Sequence, residues 1–151
     1  MDLIVWRHAD AEDGWPDHAR VLTNKGLKQA DAMAKWLKPR LPEDVRILVS
    51  PARRTQQTAQ ALGLPFETCE AVEPGRNATE LLSAAGWPNK EGVTLIVGHQ
   101  PTLGEVASLL LSGFISAWTI KKGSVWWFTQ RTDDHTELVA AIAPSMLDSH
   151  I

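Results

Sequence analysis

The stretch LIVWRHADAE, residues 3–12, runs four apolar residues straight into Arg7 and His8 and follows them with acids at Asp10 and Glu12. An unbroken apolar run of this length fits a strand buried on both faces of a parallel sheet. Ligands of open α/β sheets bind beyond the carboxyl ends of the strands, so Arg7 and His8 stand where a site would be built. A strand must also stop somewhere. An Arg-His pair after a single strand is more often a loop detail than a catalyst, so the other strands decide.

Two further short apolar runs repeat the arrangement. RILVS (Arg46–Ser50) leads through Pro51 into Arg53 and Arg54, and VTLIVG (Val93–Gly98) breaks at His99. Helical patterns lie around them. TNKGLKQADAMAKWLKPR carries apolar residues at Leu27, Ala30, Met33, Ala34 and Leu37, with Thr23 as N-cap and Pro39 as the stop. In SPARRTQQTAQALG, Ser50 can cap a second helix, Pro51 suits its first position and Gly63 its exit. NATELLSAAG gives a third helix before Gly86, and TLGEVASLLLSG a fourth with Thr102 and Glu105 at capping-box spacing. Near the end, GSVWWFTQ and TELVAAIA are rich in β-formers and are joined by the turn-like RTDDH, which predicts an antiparallel pair. This alternation gives a layered α/β domain with a largely parallel sheet. With no linker or repeat in view, residues 1–151 read as one domain.

Composition narrows the function classes. The chain has 151 residues, 44% hydrophobic and 22% charged, as expected of a soluble globule that buries its own core. A net charge of -3 argues against general nucleic-acid binding, so any anion site must be a local cluster of basic residues. The one cysteine, Cys69, has no internal disulfide partner and reads as a packing residue in a reducing compartment. No apolar run approaches the roughly 20 residues of a membrane span, and MDLIVW lacks the pattern of a signal peptide. The expected location is the cytoplasm, with neither membrane nor nucleic acid as a partner.

If the three apolar strands are parallel neighbours, two imidazoles and one or two guanidiniums meet at one sheet edge. That set suits a phosphoryl group. Arginine forks match phosphate oxygens in pairs and keep their charge. Neutral imidazole can attack phosphorus and divide one displacement into two. Most of the remaining work is positioning and compensation of charge on the equatorial oxygens, which needs no metal. Each element alone has a plainer reading, as solvated helix arginines or a hydrogen-bonded histidine; the conjunction carries the argument. A metallohydrolase built from His8, Asp10, Asp13 and His18 is the weakest option, because Arg7 beside His8 would repel a cation.

These residues resemble a known family. RHADAE resembles the RHG signature of the histidine phosphatase superfamily, the group of phosphoglycerate mutases and acid phosphatases. SPARRTQQTA is similar to its SxxxRAxQTA motif, VGHQP to its late GH segment, and ARVLTNKG to the RPLTxxG stretch of the small SixA-type phosphohistidine phosphatases. The four motifs fall in family order between Leu3 and about Leu111. The resemblance implies a phosphoglycerate mutase-like fold: a three-layer sandwich with a mostly parallel central sheet flanked by helices and antiparallel C-terminal strands. It implies His8 as the nucleophile and Arg7 as a phosphate ligand beside it. Arg54, fifth from the serine of its motif, is the catalytic arginine by the same likeness, with Arg53 a neighbour. His99 is a donor to phosphoryl oxygens, a cation where protonated, and Arg20 a further phosphate or substrate contact. No cofactor and no metal are implied.

Two positions depart from the family pattern. Ala9 replaces the glycine after the nucleophile, and Val21 replaces the proline of RPLT. Should residue 9 require a positive φ, alanine would be strained there by on the order of 1 kcal/mol.

The general acid is the open question. Glu70, Glu73 and Glu80, with Asp10 and Glu12 nearer the nucleophile, are candidates, and none lies in a recognised motif. SixA-like members generally lack that acid. A leaving imidazole can already carry its proton and needs less help than an alkoxide. The expected function is therefore a metal-independent phosphatase acting on phosphohistidine of a signalling or phosphotransfer protein. The alternatives are a small-molecule phosphomonoesterase of the same superfamily and a non-catalytic module that binds phosphorylated partners, the latter supported by Ala9. The paired histidines predict a bell-shaped pH profile between mildly acidic and neutral pH. Trp126 and Trp127 point to opposite faces of their strand, so at least one packs into the core.

Overall fold

The apolar run that opens the chain becomes β1 (Asp2–Arg7), which pairs in parallel with β4 (Val93–Gly98) on one side and antiparallel with β5 (Val125–Gln130) on the other. These relations come from a computed structural model that describes residues 1–131 and 134–147. Beyond β4 lie β2 (Arg46–Val49) and a two-residue strand, β3 (Glu67–Thr68), both parallel to it; β6 (Thr136–Ile142) closes the other edge against β5. The six-stranded order is β3-β2-β4-β1-β5-β6. The three strands expected to end in functional residues are thus parallel neighbours, and their carboxyl ends share one edge.

Alternation along each strand supplies two cores. Leu3, Val5, Leu48 and Ile96 pack on one face against α3 (Ala78–Ala85) and α4 (Thr102–Ser112). Ile4, Trp6, Ile47, Val49, Leu95 and Val97 pack on the other against α1 (Asn24–Leu37) and α2 (Arg53–Gln60). Each such side chain, when fully buried, contributes ~1.5–3 kcal/mol. The result is the three-layer α/β sandwich with a mostly parallel sheet and antiparallel C-terminal strands. Trp126 packs toward the first core and Trp127 toward the second, where its Nε1–H donates to Asp2.

Several local expectations need correction. Thr23 caps α1 by accepting from the Gly26 N–H, but Leu27 is 48% exposed. Gly26 takes the buried place, because a Cβ there would fall on the Asp10 carbonyl. Ser50 and Pro51 precede α2 rather than opening it; its N-cap is Ala52, with no side-chain cap. Thr102 and Glu105 form no capping box, since the Thr102 hydroxyl donates to the Arg76 carbonyl. The box forms instead at α3, between Asn77 and Glu80. In the expected turn RTDDH, Thr132 and Asp133 lie outside the described residues. At Gly104 a Cβ would fall on the Trp118 carbonyl, so glycine lets the segment after α4 lie against that helix and lead back toward β1.

Candidate active site

β1 delivers Arg7 and His8 to the sheet edge, and the backbone pairing continues past it, with the His8 N–H donating to the Gly98 carbonyl. His8 is 7% exposed. Its Nδ1 lies 2.7 Å from the carbonyl oxygen of Ala9. A carbonyl only accepts, so Nδ1 carries the proton and Nε2 carries the lone pair. The imidazole is thereby oriented by its own loop. That loop is tied to α2, because the Ala9 N–H donates to Thr58 Oγ1 while the Thr58 hydroxyl donates to the Arg54 carbonyl.

β4 delivers His99, 4% exposed, with its ring centroid 5.4 Å from that of His8. β2 delivers Ser50, whose Oγ is 2.7 Å from His99 Nε2. The Ala52 N–H donates to the same Ser50 oxygen, and among the described residues His99 Nε2 is the acceptor available to the hydroxyl proton. Ser50 therefore donates to Nε2, which leaves the His99 proton on Nδ1. Sequence reasoning gave Ser50 a helix cap; the structure gives it the tautomer of His99.

α2 begins just beyond this edge and buries Arg54 in its first turn, whereas the adjacent Arg53 is exposed. Arg53 lines a groove of about 640 Å³ with His18, Val21, Pro51 and Gln56, beside the site rather than in it. Arg54 Nη1 donates to the Asp17 carbonyl at 3.0 Å and Nη2 to its carboxylate at 3.2 Å. Arg7 Nη1 donates to the Ile120 carbonyl. Among the described residues, four buried side-chain atoms have no hydrogen-bond partner: Arg7 Nε, Arg54 Nε, His99 Nδ1 and Ser124 Oγ. Buried polar groups are rarely left so. Three of the four belong to residues expected to hold a phosphoryl group, and Ser124 is joined to Arg7 by a backbone hydrogen bond.

Arg20 reaches this cluster indirectly, through Asp17. Its Nε donates to the Glu12 carbonyl and its Nη1 to the Asp17 carboxylate. Asp17 was not among the sequence candidates; its place three residues before Arg20 was the available signal.

The electrostatics follow from burial and positive charge. Burial, with Arg54, Arg7 and Arg20 adding to it against the opposing bond to Ala9, holds His8 down at about 4. Burial, then Arg54 and His8, hold His99 down at about 3. Both rings are neutral near pH 7, so His99 is a neutral ring there rather than the cation considered from sequence.

The candidate acids are occupied or outlying. Asp10 accepts from the Thr23 hydroxyl and from Lys122, which hold its carboxyl below the usual range. Glu73 and Glu80 both pair with Arg76. The bonds from Arg76 and the Asn77 N–H keep Glu80 ionised, and Glu12 and Glu70 are both exposed at the surface. Among the described residues, no group of three or more His, Cys, Asp or Glu is placed to hold a metal ion, the His8, Asp10, Asp13 and His18 set included. Ala9 is fully buried against Leu22 and Ala30 and is not a positive-φ residue, so alanine carries no backbone strain there.

Comparison with known proteins agrees with this architecture. Residues 3–81 match the histidine phosphatase superfamily (branch 1). The chain belongs to that superfamily. It is 32% identical over 122 residues to phosphohistidine phosphatase SixA of Escherichia coli (strain K12), covering 75% of this chain and 76% of that one. The structure of the protein histidine phosphatase SixA complexed with tungstate superposes with a TM-score of 0.84 at 25% identity, covering 98% of this chain and 100% of that one. A phosphoserine phosphatase mutant from Entamoeba histolytica, in complex with phosphoserine, shares the fold alone, with a TM-score of 0.75 at 18% identity and coverage of 97% and 99%. The chain is accordingly a phosphatase of the histidine phosphatase superfamily, similar to SixA.

Proposed function

We propose that this protein is a metal-independent phosphohistidine phosphatase that works through a phosphoryl intermediate on His8, with a phosphohistidine-bearing signalling or phosphotransfer protein of the cytoplasm as substrate. The observation that carries the proposal is the pairing of a neutral, Nδ1-anchored His8 with three uncommitted buried donors on Arg7, Arg54 and His99. In the first step the His8 Nε2 lone pair attacks phosphorus and the bond from phosphorus to the substrate nitrogen breaks. The leaving imidazole departs neutral, its other ring nitrogen having carried the proton. Water then attacks the phosphoryl-His8 intermediate, inorganic phosphate leaves, and Nε2 regains its lone pair. Arg7, Arg54 and His99 serve throughout as fixed donors to the equatorial oxygens, and charge stabilisation of this kind is worth most in a buried, preorganised site.

The state of the acids favours this substrate. Asp10, Glu73 and Glu80 are each engaged by a basic side chain, and Asp17 is held ionised by Arg20 and Arg54. A phosphomonoester needs a proton for its alkoxide, and each of these carboxylates is engaged as an acceptor by basic side chains; the leaving imidazole of a phosphohistidine already carries its own proton. The similarity to SixA points the same way.

His8→Ala tests the mechanism. Turnover is expected to fall by roughly 10^4-fold or more, and incubation with a labelled substrate should leave no phosphoryl group on the protein. Residual turnover close to that of the parent would overturn the assignment. Rates on a phosphohistidine-bearing protein should exceed those on a panel of phosphoesters; the reverse order would reassign the substrate to small esters.

A further inference from the structure

The Asp17 carboxylate sits between two arginines of a site expected to receive an anion, and that placement needs a reason. Its Oδ2 accepts from Arg54 Nη2 at 3.2 Å and its Oδ1 from Arg20 Nη1 at 3.1 Å, while its backbone carbonyl accepts from Arg54 Nη1 at 3.0 Å. On charge alone a carboxylate here should weaken phosphate binding, since it offsets positive charge and repels a dianion.

The hydrogen bonds give the opposite result. Asp17 occupies both terminal nitrogens of Arg54 and leaves Nε, which is buried and without a partner. A guanidinium has five N–H donors in a rigid fork, so fixing one edge with two bonds fixes the orientation of the other. The Arg54 side chain is 6% exposed and that of Asp17 53%, so the clamp is applied to a buried group from the surface side. Arg20 is drawn into the same arrangement, its Nε held by the Glu12 carbonyl and its Nη1 by Asp17. We infer that Asp17 is a positioning residue: bonded to Arg54 and Arg20 together, it presets the uncommitted edge of Arg54 for the phosphoryl group and so sets oxyanion affinity and kcat. It touches no reacting atom. This inference rests on the phosphatase reading above.

The competing role is that of an occluding anion, in which the carboxylate holds the place of the phosphoryl oxygens and must be displaced. The two roles predict opposite signs. Under positioning, Asp17→Ala weakens inhibition by orthovanadate by about tenfold or more and lowers kcat on a phosphohistidine peptide at least tenfold, with KM moving less, even though the substitution makes the site more positive. Asp17→Asn, which keeps an acceptor for the arginines and removes the charge, restores a large part of the loss. Under occlusion, both substitutions tighten vanadate and lower KM, which overturns the proposal. Unchanged vanadate inhibition and kcat in Asp17→Ala would overturn it as well.

Asp17 lies in a short surface 3-10 turn, Asp17–Ala19, so the melting temperature serves as the control. If it drops with activity, titration of Asp17→Asn with vanadate decides whether orientation or folding was lost. Should the parent protein neither turn over a phosphohistidine peptide nor bind vanadate, the phosphatase reading itself fails. If the parent does both and Asp17→Ala behaves like it, the Asp17 role alone is rejected.

Discussion

Two arginine clusters in this chain use the same residue types and differ in what they leave free. At Arg76 every side-chain nitrogen is taken: Nε and Nη2 by Glu73, Nη1 by Glu80, with the guanidinium side chain 37% exposed. Arg54 has two of its three nitrogens engaged by Asp17, keeps Nε without a partner, and is 6% exposed. The first cluster is a satisfied surface network that staples the start of α3 beside its capping box. The second is a buried donor held in place but not used up. A charged residue is therefore judged here by its remaining donors and by its burial, more than by its charge.

Substitution sharpens that contrast most strongly at the arginines themselves. Arg54→Ala should lower kcat/KM by roughly 10^2–10^3-fold, the range seen when a preorganised oxyanion donor is removed. Arg76→Ala should stay within about twofold, because exposed ion pairs do little beyond their own surroundings. Steady-state kinetics on one phosphohistidine peptide reads both variants. A comparable loss in the two would mean that Glu73 or Glu80 takes part in the chemistry after all.

The sequence showed one of these clusters and not its anchor. Arg54 and His99 were legible because each follows an apolar strand, and the parallel order of β1, β4 and β2 made the meeting of their ends a topological consequence. Both core faces were legible for the same reason, through the alternation of Leu3, Ile4, Val5 and Trp6. What lay hidden depended on contacts distant in sequence. Ser50 looked like a cap because Ser-Pro commonly opens a helix, yet its hydroxyl is used across the sheet by His99. Asp17 stood in a polar loop whose pattern carries no period, and its partners Arg20 and Arg54 are joined to it by folding alone. The 3-10 turns and the two-residue β3 lie below the length at which periodicity registers.

Protonation offers a second way to break the comparison. In the proposed mechanism His8 attacks only when neutral, and its folded value of about 4 puts the acid limb of kcat/KM near pH 4, below the mildly acidic range expected from the sequence. After correction for ionisation of the substrate, the rate should be flat from about pH 5 to neutral. A limb centred near 6.5 would mean that the ring is neither buried nor flanked by arginines in solution. Stability carries the same signature. Both histidines bind protons more weakly folded than unfolded, so between the unfolded value of 6.5 and folded values of about 4 and about 3 the unfolded chain takes up more protons. The contribution of the pair is complete above pH 6.5, is lost as the pH falls toward 4 and 3, and changes no further below. Urea unfolding across that window should show a decline of a few kcal/mol from this source. His99→Gln should flatten part of it, and an unchanged slope would place the loss elsewhere.

The smallest expected effect lies at Ala9, where the chain departs from the glycine of its family. The methyl is fully buried against Leu22 and Ala30, and the bond that orients His8 is made by the backbone carbonyl of the same residue. Ala9→Gly keeps that carbonyl and removes only the methyl. The cost combines lost burial of about 0.8 kcal/mol with added freedom of the unfolded chain of about 0.4–1 kcal/mol. A destabilisation of about 1–2 kcal/mol should lower the melting temperature by a few degrees, while kcat/KM stays within about twofold. A tenfold gain in activity would instead show that the methyl crowds the phosphoryl group. Packing and chemistry would then compete at a position where the backbone bond to His8 separates them.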